Sequence, residues 1–173
     1  RFAEMITVDK ELAATDTQIE VASSISYNGK DYPVIRIADN AFEGQTVIKT
    51  IIIPASVSNI GEAAFKGCSS LTTIQLPESI TAVSASLFED CSALTTMTLP
   101  DAITTIGNYA FRNCRKLTTL TYNQALAEIG NGVFKGCTSL TSLELPANCQ
   151  LGTDIFQNCT LLETVTLPTN LTK

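Results

Sequence analysis

The sequence predicts an α/β repeat solenoid: a curved right-handed superhelix with a parallel sheet on one side, short helices on the other, and a β-hairpin cap at its N-terminal end. Three observations predict it. Phenylalanine recurs at Phe42, Phe65, Phe88, Phe111, Phe134 and Phe156, in steps of 23 residues with a last step of 22. Cysteine follows three places behind, at Cys68, Cys91, Cys114, Cys137 and Cys159, with Gln45 in the first unit. Leu71, Leu94, Leu117, Leu140 and Leu162 keep the same step, as do Pro54, Pro77, Pro100, Pro146 and Pro168, with Asn123 in the one gap. A spacing shared by four residue types is the mark of stacked units.

Each unit reads in the same order. In LTTIQLP, Leu71, Ile74 and Leu76 alternate with Thr73 and Gln75, which predicts a short strand with one buried face. Proline then removes a ladder donor and ends the strand. Ile80 and Val83 point inward from an extended stretch, and Leu87, Phe88, Cys91 and Leu94 stand at i, i+1, i+4 and i+7, which predicts one or two turns of helix. One unit cannot bury its apolar side alone; stacked units can, each side chain packing on its copy in the next. On this reading residues 1–173 form one domain, with a cap over 1–33 and about six units of 22–23 residues over 34–173, the last incomplete.

The ends follow different rules. MITV and TQIEVASSISY alternate as strands do, and Asn28-Gly29 between the second of these and DYPVIRI is a hairpin signal. That region is expected to cap the first unit. The chain opens on RFAEM, as a trimmed form would, and stops at LETVTLPTNLTK after the strand of a sixth unit. An uncapped strand is a template for pairing, so self-association through this C-terminal edge is expected.

Composition narrows the function. A net charge of −6 argues against a general nucleic-acid or anionic-membrane binder. No apolar run is long enough to span a bilayer. The absence of histidine removes the commonest general base and metal ligand together. The cysteines then read as a buried ladder: parallel side chains in a column neither converge on a metal nor aim at each other for a disulfide. Cys149 aligns with Val57, Ile80, Ile103 and Leu126, another inward slot. No catalytic residue, cofactor or metal is expected.

Three lesser patterns carry little. Gly130 aligns with Gly61 and Gly107 but also with Ala38 and Ser84, so that slot demands no special backbone angle. Lys66, Arg112 and Lys135 share the slot after phenylalanine with Glu89 and Gln157, which reads as a solvated face. Asn158-Cys159-Thr160 and Asn170-Leu171-Thr172 fit a glycosylation acceptor pattern, the first with its cysteine in the buried column.

The repeat LTTMTLPDAITTIGNYAFRNC, residues 94–114, resembles that of BspA-like, or treponemal-type, leucine-rich repeat proteins: leucine, strand, LP, then IG, AF and GC. The likeness covers about residues 34 to 173. It lapses at Tyr122-Asn123, where other units have Leu-Pro, and near Cys149, where a unit is one residue short; both mark local irregularity. The resemblance implies a leucine-rich repeat solenoid that is extracellular or on the cell surface, often bacterial. It also implies that other proteins are bound, host extracellular matrix proteins among them, in the manner of an adhesin.

The outward strand positions are the candidate site. One column reads Thr50, Thr73, Thr96, Thr119, Ser142, Thr164; its neighbour reads Ile52, Gln75, Thr98, Thr121, Glu144, Thr166. Threonine is a good exposed β residue and forms hydroxyl ladders without any further role. As a site, these positions with Tyr122 at the rim offer a protein-binding face on an extended concave surface. A spacer segment of a larger surface protein is the alternative, and glycan or ice binding through the threonine array a remote one. Against ice, Ile52, Gln75 and Glu144 interrupt the array.

Overall fold

The structure, a computed structural model, describes residues 17–168. The expected MITV strand and Asn170-Leu171-Thr172 lie outside the described residues. In chain order the first strands are β1 (Gln18–Glu20), β2 (Ser24–Tyr27), β3 (Lys30–Pro33), β4 (Arg36–Ile37), β5 (Thr50–Ile52), β6 (Asn59–Ile60) and β7 (Thr73–Gln75). Then come β8 (Ala82–Val83), β9 (Thr96–Thr98), β10 (Thr105–Ile106), β11 (Thr119–Thr121), β12 (Glu128–Ile129), β13 (Ser142–Glu144), β14 (Gln150–Leu151) and β15 (Thr164–Thr166).

The strands form a β-solenoid of about six turns. Its front wall is built of parallel pairs in the order β1-β5-β7, β9-β11 and β13-β15. Register places like on like: Thr50 beside Thr73, Thr96 beside Thr119, Ser142 beside Thr164. The extended stretch after each proline is itself a second wall, a flank sheet ordered β4-β6 and β8-β10-β12-β14. Proline turns join the two walls, as where Ile80 N–H donates to the Pro77 carbonyl at 3.1 Å. Asn123 does the same work without the ring, because its side-chain oxygen accepts from the Ala125 amide at 2.7 Å in an Asx turn.

The third wall corrects the sequence reading. The short helices do not form; the described residues contain none. Two residues per turn stand at positive φ: Ala63 at 53° with Gly67 at 72°, Ser86 at 53° with Asp90 at 61°, Tyr109 at 59° with Asn113 at 58°. An α-helix needs φ near −63° throughout. Alternate amides are also committed elsewhere. Ala63, Phe65 and Gly67 donate to the Ala85, Leu87 and Glu89 carbonyls of the next unit at 2.9, 3.1 and 2.7 Å. The helix-like spacing of Leu87, Phe88, Cys91 and Leu94 therefore arises from successive four-residue turns, such as Cys68 N–H to the Phe65 carbonyl at 3.1 Å. The class is an all-β solenoid with a wall of stacked turns, not α/β.

Glycine's slot demands no special backbone angle, as expected, yet it has a packing reason. Gly61, Gly107, Gly130 and Gly152 donate across the flank sheet to Ile37, Val83, Ile106 and Ile129 at 2.7–2.9 Å. A Cβ on Gly107 would lie 2.6 Å from the Ala85 amide nitrogen. Close approach of backbones, not backbone angle, selects glycine here. Ser84 is the exception that shows it. Between β6 and β8 the ladder is open, and the Ser84 hydroxyl, in place of its amide, donates to the Ile60 carbonyl.

At the N-terminal end β1 pairs with β5 and extends the front wall. TQIEVASSISY is thus two strands. β2 and β3 form the expected hairpin, with Asn28 and Gly29 both at positive φ. All four residues of β2 are exposed, so the hairpin does not show the burial a cap would.

Inside the walls the repeated slots stack. Phe42 through Phe156 form one column with ring centroids 5.4–5.9 Å apart and interplanar angles falling from 30° to 7°. All six cysteines are free thiols; Cys68, Cys91, Cys114, Cys137 and Cys149 are buried and Cys159 is half-buried. The column also does something the sequence did not announce. Cys68, Cys91, Cys114, Cys137 and Cys159 each donate Sγ–H to the phenylalanine carbonyl of the preceding unit, Cys114 to Phe88 and Cys137 to Phe111 at 3.1 Å. Burial pushes the Cys68 thiol from 9.0 up to about 12, and Cys91 and Cys114 well above the ordinary range.

A stability prediction follows from those thiols. In the unfolded chain they ionise near 9.0, whereas the folded Cys68 holds its proton to about 12. Stability is therefore full below about pH 9 and falls as pH rises towards 12, because only the unfolded state gains by losing the proton. Melting temperatures at about pH 7 and pH 10.5 should differ by several degrees, with the alkaline sample lower. Equal melting temperatures would contradict a sealed column.

Candidate functional face

The front wall presents its outer side to solvent. Thr73, Gln75, Thr96, Thr98, Thr119, Thr121, Glu144, Thr164 and Thr166 are all exposed, on strands whose middle residues Ile74, Met97, Leu120 and Leu143 are buried. Alternation along a three-residue strand does this: the middle side chain faces the core and its two neighbours face out. Parallel register then turns two positions per strand into two columns of hydroxyls. The face carries Glu144 as its one charge among β5 to β15, and Glu20 on β1 beside Ile52.

Tyr122 is not presented as a free anchor. It is half-buried against the core, and its hydroxyl donates to the Glu144 carbonyl. Burial pushes its phenol up to about 12, with Cys149 and Glu144 adding to the rise. It bridges the place where β11 and β13 are not paired, one of the two openings in the front wall; the other lies between β7 and β9.

Both openings are clefts. One, of about 520 Å³, is lined by Thr73, Gln75, Thr96 and Thr98, with Glu78 and Asp101 at its rim. A second, of about 290 Å³, lies along Thr119, Thr121, Tyr122, Ser142 and Glu144. A third of about 410 Å³ spans β5 and β7 and is the most apolar, being lined by Ile52, Ile53, Ala55 and Pro77. Ile52 is 43% exposed. It was legible as a break in the threonine column but not as the floor of an apolar recess, since Ile53 and Pro77 reach it from two units.

The row after phenylalanine corrects the reading of a solvated face. Glu89 is buried between two cations, with carboxylate oxygens 3.3 Å from Lys66 Nζ and 3.3 Å from Arg112 Nη1. The pairing partners come from the units before and after, so no local motif encodes it. Arg112 also lies over the Tyr109 ring, 5.6 Å from its centre.

No group of three or more His, Cys, Asp or Glu among the described residues is placed to hold a metal ion. No described helix is long and apolar enough to cross a membrane. What the arrangement offers is a rigid, polar, almost uncharged sheet surface with shallow recesses, which suits contact with another macromolecule.

A three-walled solenoid with phenylalanine and cysteine columns and an open sheet face defines a class of repeat protein. Residues 35–163 match the BspA type leucine rich repeat region in six copies, and the chain belongs to that family. A leucine-rich repeat protein from Bacteroides ovatus is similar in structure, at 28% identity and a TM-score of 0.71 over 93% of this chain and 48% of that one. A leucine rich cell surface protein from Faecalibacterium prausnitzii matches at 26% identity and a TM-score of 0.68, over 87% and 47% of the two chains. The leucine rich repeat protein of T. pallidum shares the fold at 24% identity and a TM-score of 0.62, over 85% and 78%. The chain thus spans about half the length of the first two. No protein of curated function matches it significantly.

Proposed function

We infer that the chain is a non-catalytic recognition module, secreted or on the cell surface, that holds a partner protein against the outer face of its front wall. The observation that carries this is the pair of exposed hydroxyl columns held in register over clefts at β7/β9 and β11/β13. Threonine hydroxyls both donate and accept, so such a face can pair with polar groups of either kind while the shallow clefts seat side chains. The likeness to a bacterial cell surface protein supports the location, and the partner class proposed is host matrix proteins. A spacer segment within a longer surface protein is the second reading, favoured by the half-length match to the first two solved structures.

One experiment separates the two. Immobilised extracellular matrix proteins should retain the wild-type chain, and the variant T96K/T98K/T119K/T121K should lose at least about tenfold in affinity, as central interface positions do when filled with charge. Circular dichroism of the variant should match wild type, since all four sites are exposed. Undiminished binding by the variant would move the site off this face, and no retention of the wild type would favour the spacer.

A further inference from the structure

We propose that the turn wall from the second to the fifth unit carries a separate binding site for a sulfated polysaccharide chain. Along the stack the slot after phenylalanine reads Glu43, Lys66, Glu89, Arg112, Lys135, Gln157. Glu89 pairs with Lys66 and Arg112, but Lys135 is followed by Gln157 and has no ion pair among the described residues. Arg115 and Lys116, three and four places beyond Arg112, are exposed and likewise make none. Four of the eleven lysines and arginines in a chain of net charge −6 therefore fall on two neighbouring turns.

Backbone contacts fix that neighbourhood. Asn113 N–H donates to the Lys135 carbonyl at 2.7 Å, and Thr138 Oγ donates to the Arg115 carbonyl at 3.2 Å. Arg115 and Lys116 line a cleft of about 430 Å³ together with Ser69, Ser92, Asp90 and Asn113. The Asp90 carboxylate in it already accepts from the Asn113 amide at 2.9 Å.

Charge and shape together select the ligand. Screening confines each cation's reach to about 8–10 Å, so this local excess governs close contact despite the overall negative charge. Duplex nucleic acid or a flat anionic bilayer is broad enough to meet the acidic remainder of the molecule as well, which repels it. A single polysaccharide chain is narrow enough to run along the stack over the cleft and reach Lys135 beside it. Its sulfates accept charge-assisted hydrogen bonds from arginine and lysine, and its hydroxyls suit Ser69 at the cleft.

Heparin serves as the probe, with the intact chain, in chromatography and calorimetry at about 0.15 M salt. Wild type should be retained and elute on added salt. R115S/K116S/K135S should bind at least about tenfold more weakly, as loss of three ion contacts requires. Lys116→Glu alone, at an exposed site, should also weaken binding and needs no other change in the fold. T96A/T98A/T119A/T121A, which adds no charge, should bind heparin as wild type does, which makes this site independent of the front face. Wild type that washes through, cation variants that bind normally, or duplex DNA, polyphosphate or anionic vesicles bound as tightly as heparin would each overturn the proposal.

Discussion

Phe111→Ala is expected to remove about 3–5 kcal/mol of stability, the range for deleting a fully buried aromatic ring and leaving its cavity. Phe111 is 0% exposed and stacks on Phe88 at 5.4 Å and Phe134 at 5.9 Å. Its slot cannot collapse, because the backbone on either side is tied to both neighbours: Phe88 N–H donates to the Ala110 carbonyl at 2.8 Å and Phe111 N–H to the Val133 carbonyl at 3.1 Å. In a stack each unit is stabilised chiefly by its neighbours, so a void in the middle weakens two interfaces at once. Melting should fall by roughly 10 °C at about 3 °C per kcal/mol. Thr119→Ala on the open face should shift it little. A loss under about 1 kcal/mol for Phe111→Ala would mean the column is not the core.

Gly107→Ala is expected to cost about 2–3 kcal/mol although it adds a single methyl group. That carbon would stand 2.6 Å from Ala85 N and 3.0 Å from Ala85 Cα, both backbone atoms that cannot turn aside. Relief requires the strands to part, which breaks the 2.8 Å bond from Gly107 N–H to the Val83 carbonyl. The native chain already holds one such parting at Ser84, where the hydroxyl replaces the lost amide bond. Alanine has no hydroxyl to offer. Chemical denaturation of Gly107→Ala beside Ser84→Ala tests this: Ser84→Ala should cost less, because its ladder is already open. The reverse order would contradict the close-approach account.

Much of this architecture was legible because the unit repeats. Strand, proline turn, inward leucine and buried thiol each recur at a fixed step, and the columns Thr73–Thr96–Thr119 and Gln75–Thr98–Thr121 follow from alternation alone. The turn wall was misread for a physical reason. Leu87, Phe88, Cys91 and Leu94 have the spacing of a helical face, and linked turns that bury the same residues produce the same spacing. One signal could have broken the tie. Gly67, Asp90, Asn113, Gly136 and Asn158 share a slot, and glycine, asparagine and aspartate are the residues that accept positive φ. Its companion slot carries half the hint: Asn40, Gly132 and Asp154 are of that kind, whereas at Ala63, Ser86 and Tyr109 the inter-unit ladder imposes the angle. Glu89 and the clefts of the front wall were illegible for a related reason: each is made by residues of adjacent units, and no single unit contains it.

The three walls differ in what they present. All three walls are bound up in unit-to-unit hydrogen bonds; the front wall sets two outward side chains per strand in register, and the turn wall carries the cations of Arg115, Lys116 and Lys135.

Everything rests on consecutive units lying over one another, which seals the cysteine column. Native chain treated with iodoacetamide at about pH 8 and mapped by mass spectrometry tests that directly, since only an accessible thiolate reacts. Cys68, Cys91, Cys114 and Cys137 should stay unmodified, and all six cysteines should label once guanidinium unfolds the chain. Rapid labelling of those four in the native chain, or a disulfide between any two of them, would contradict the stack.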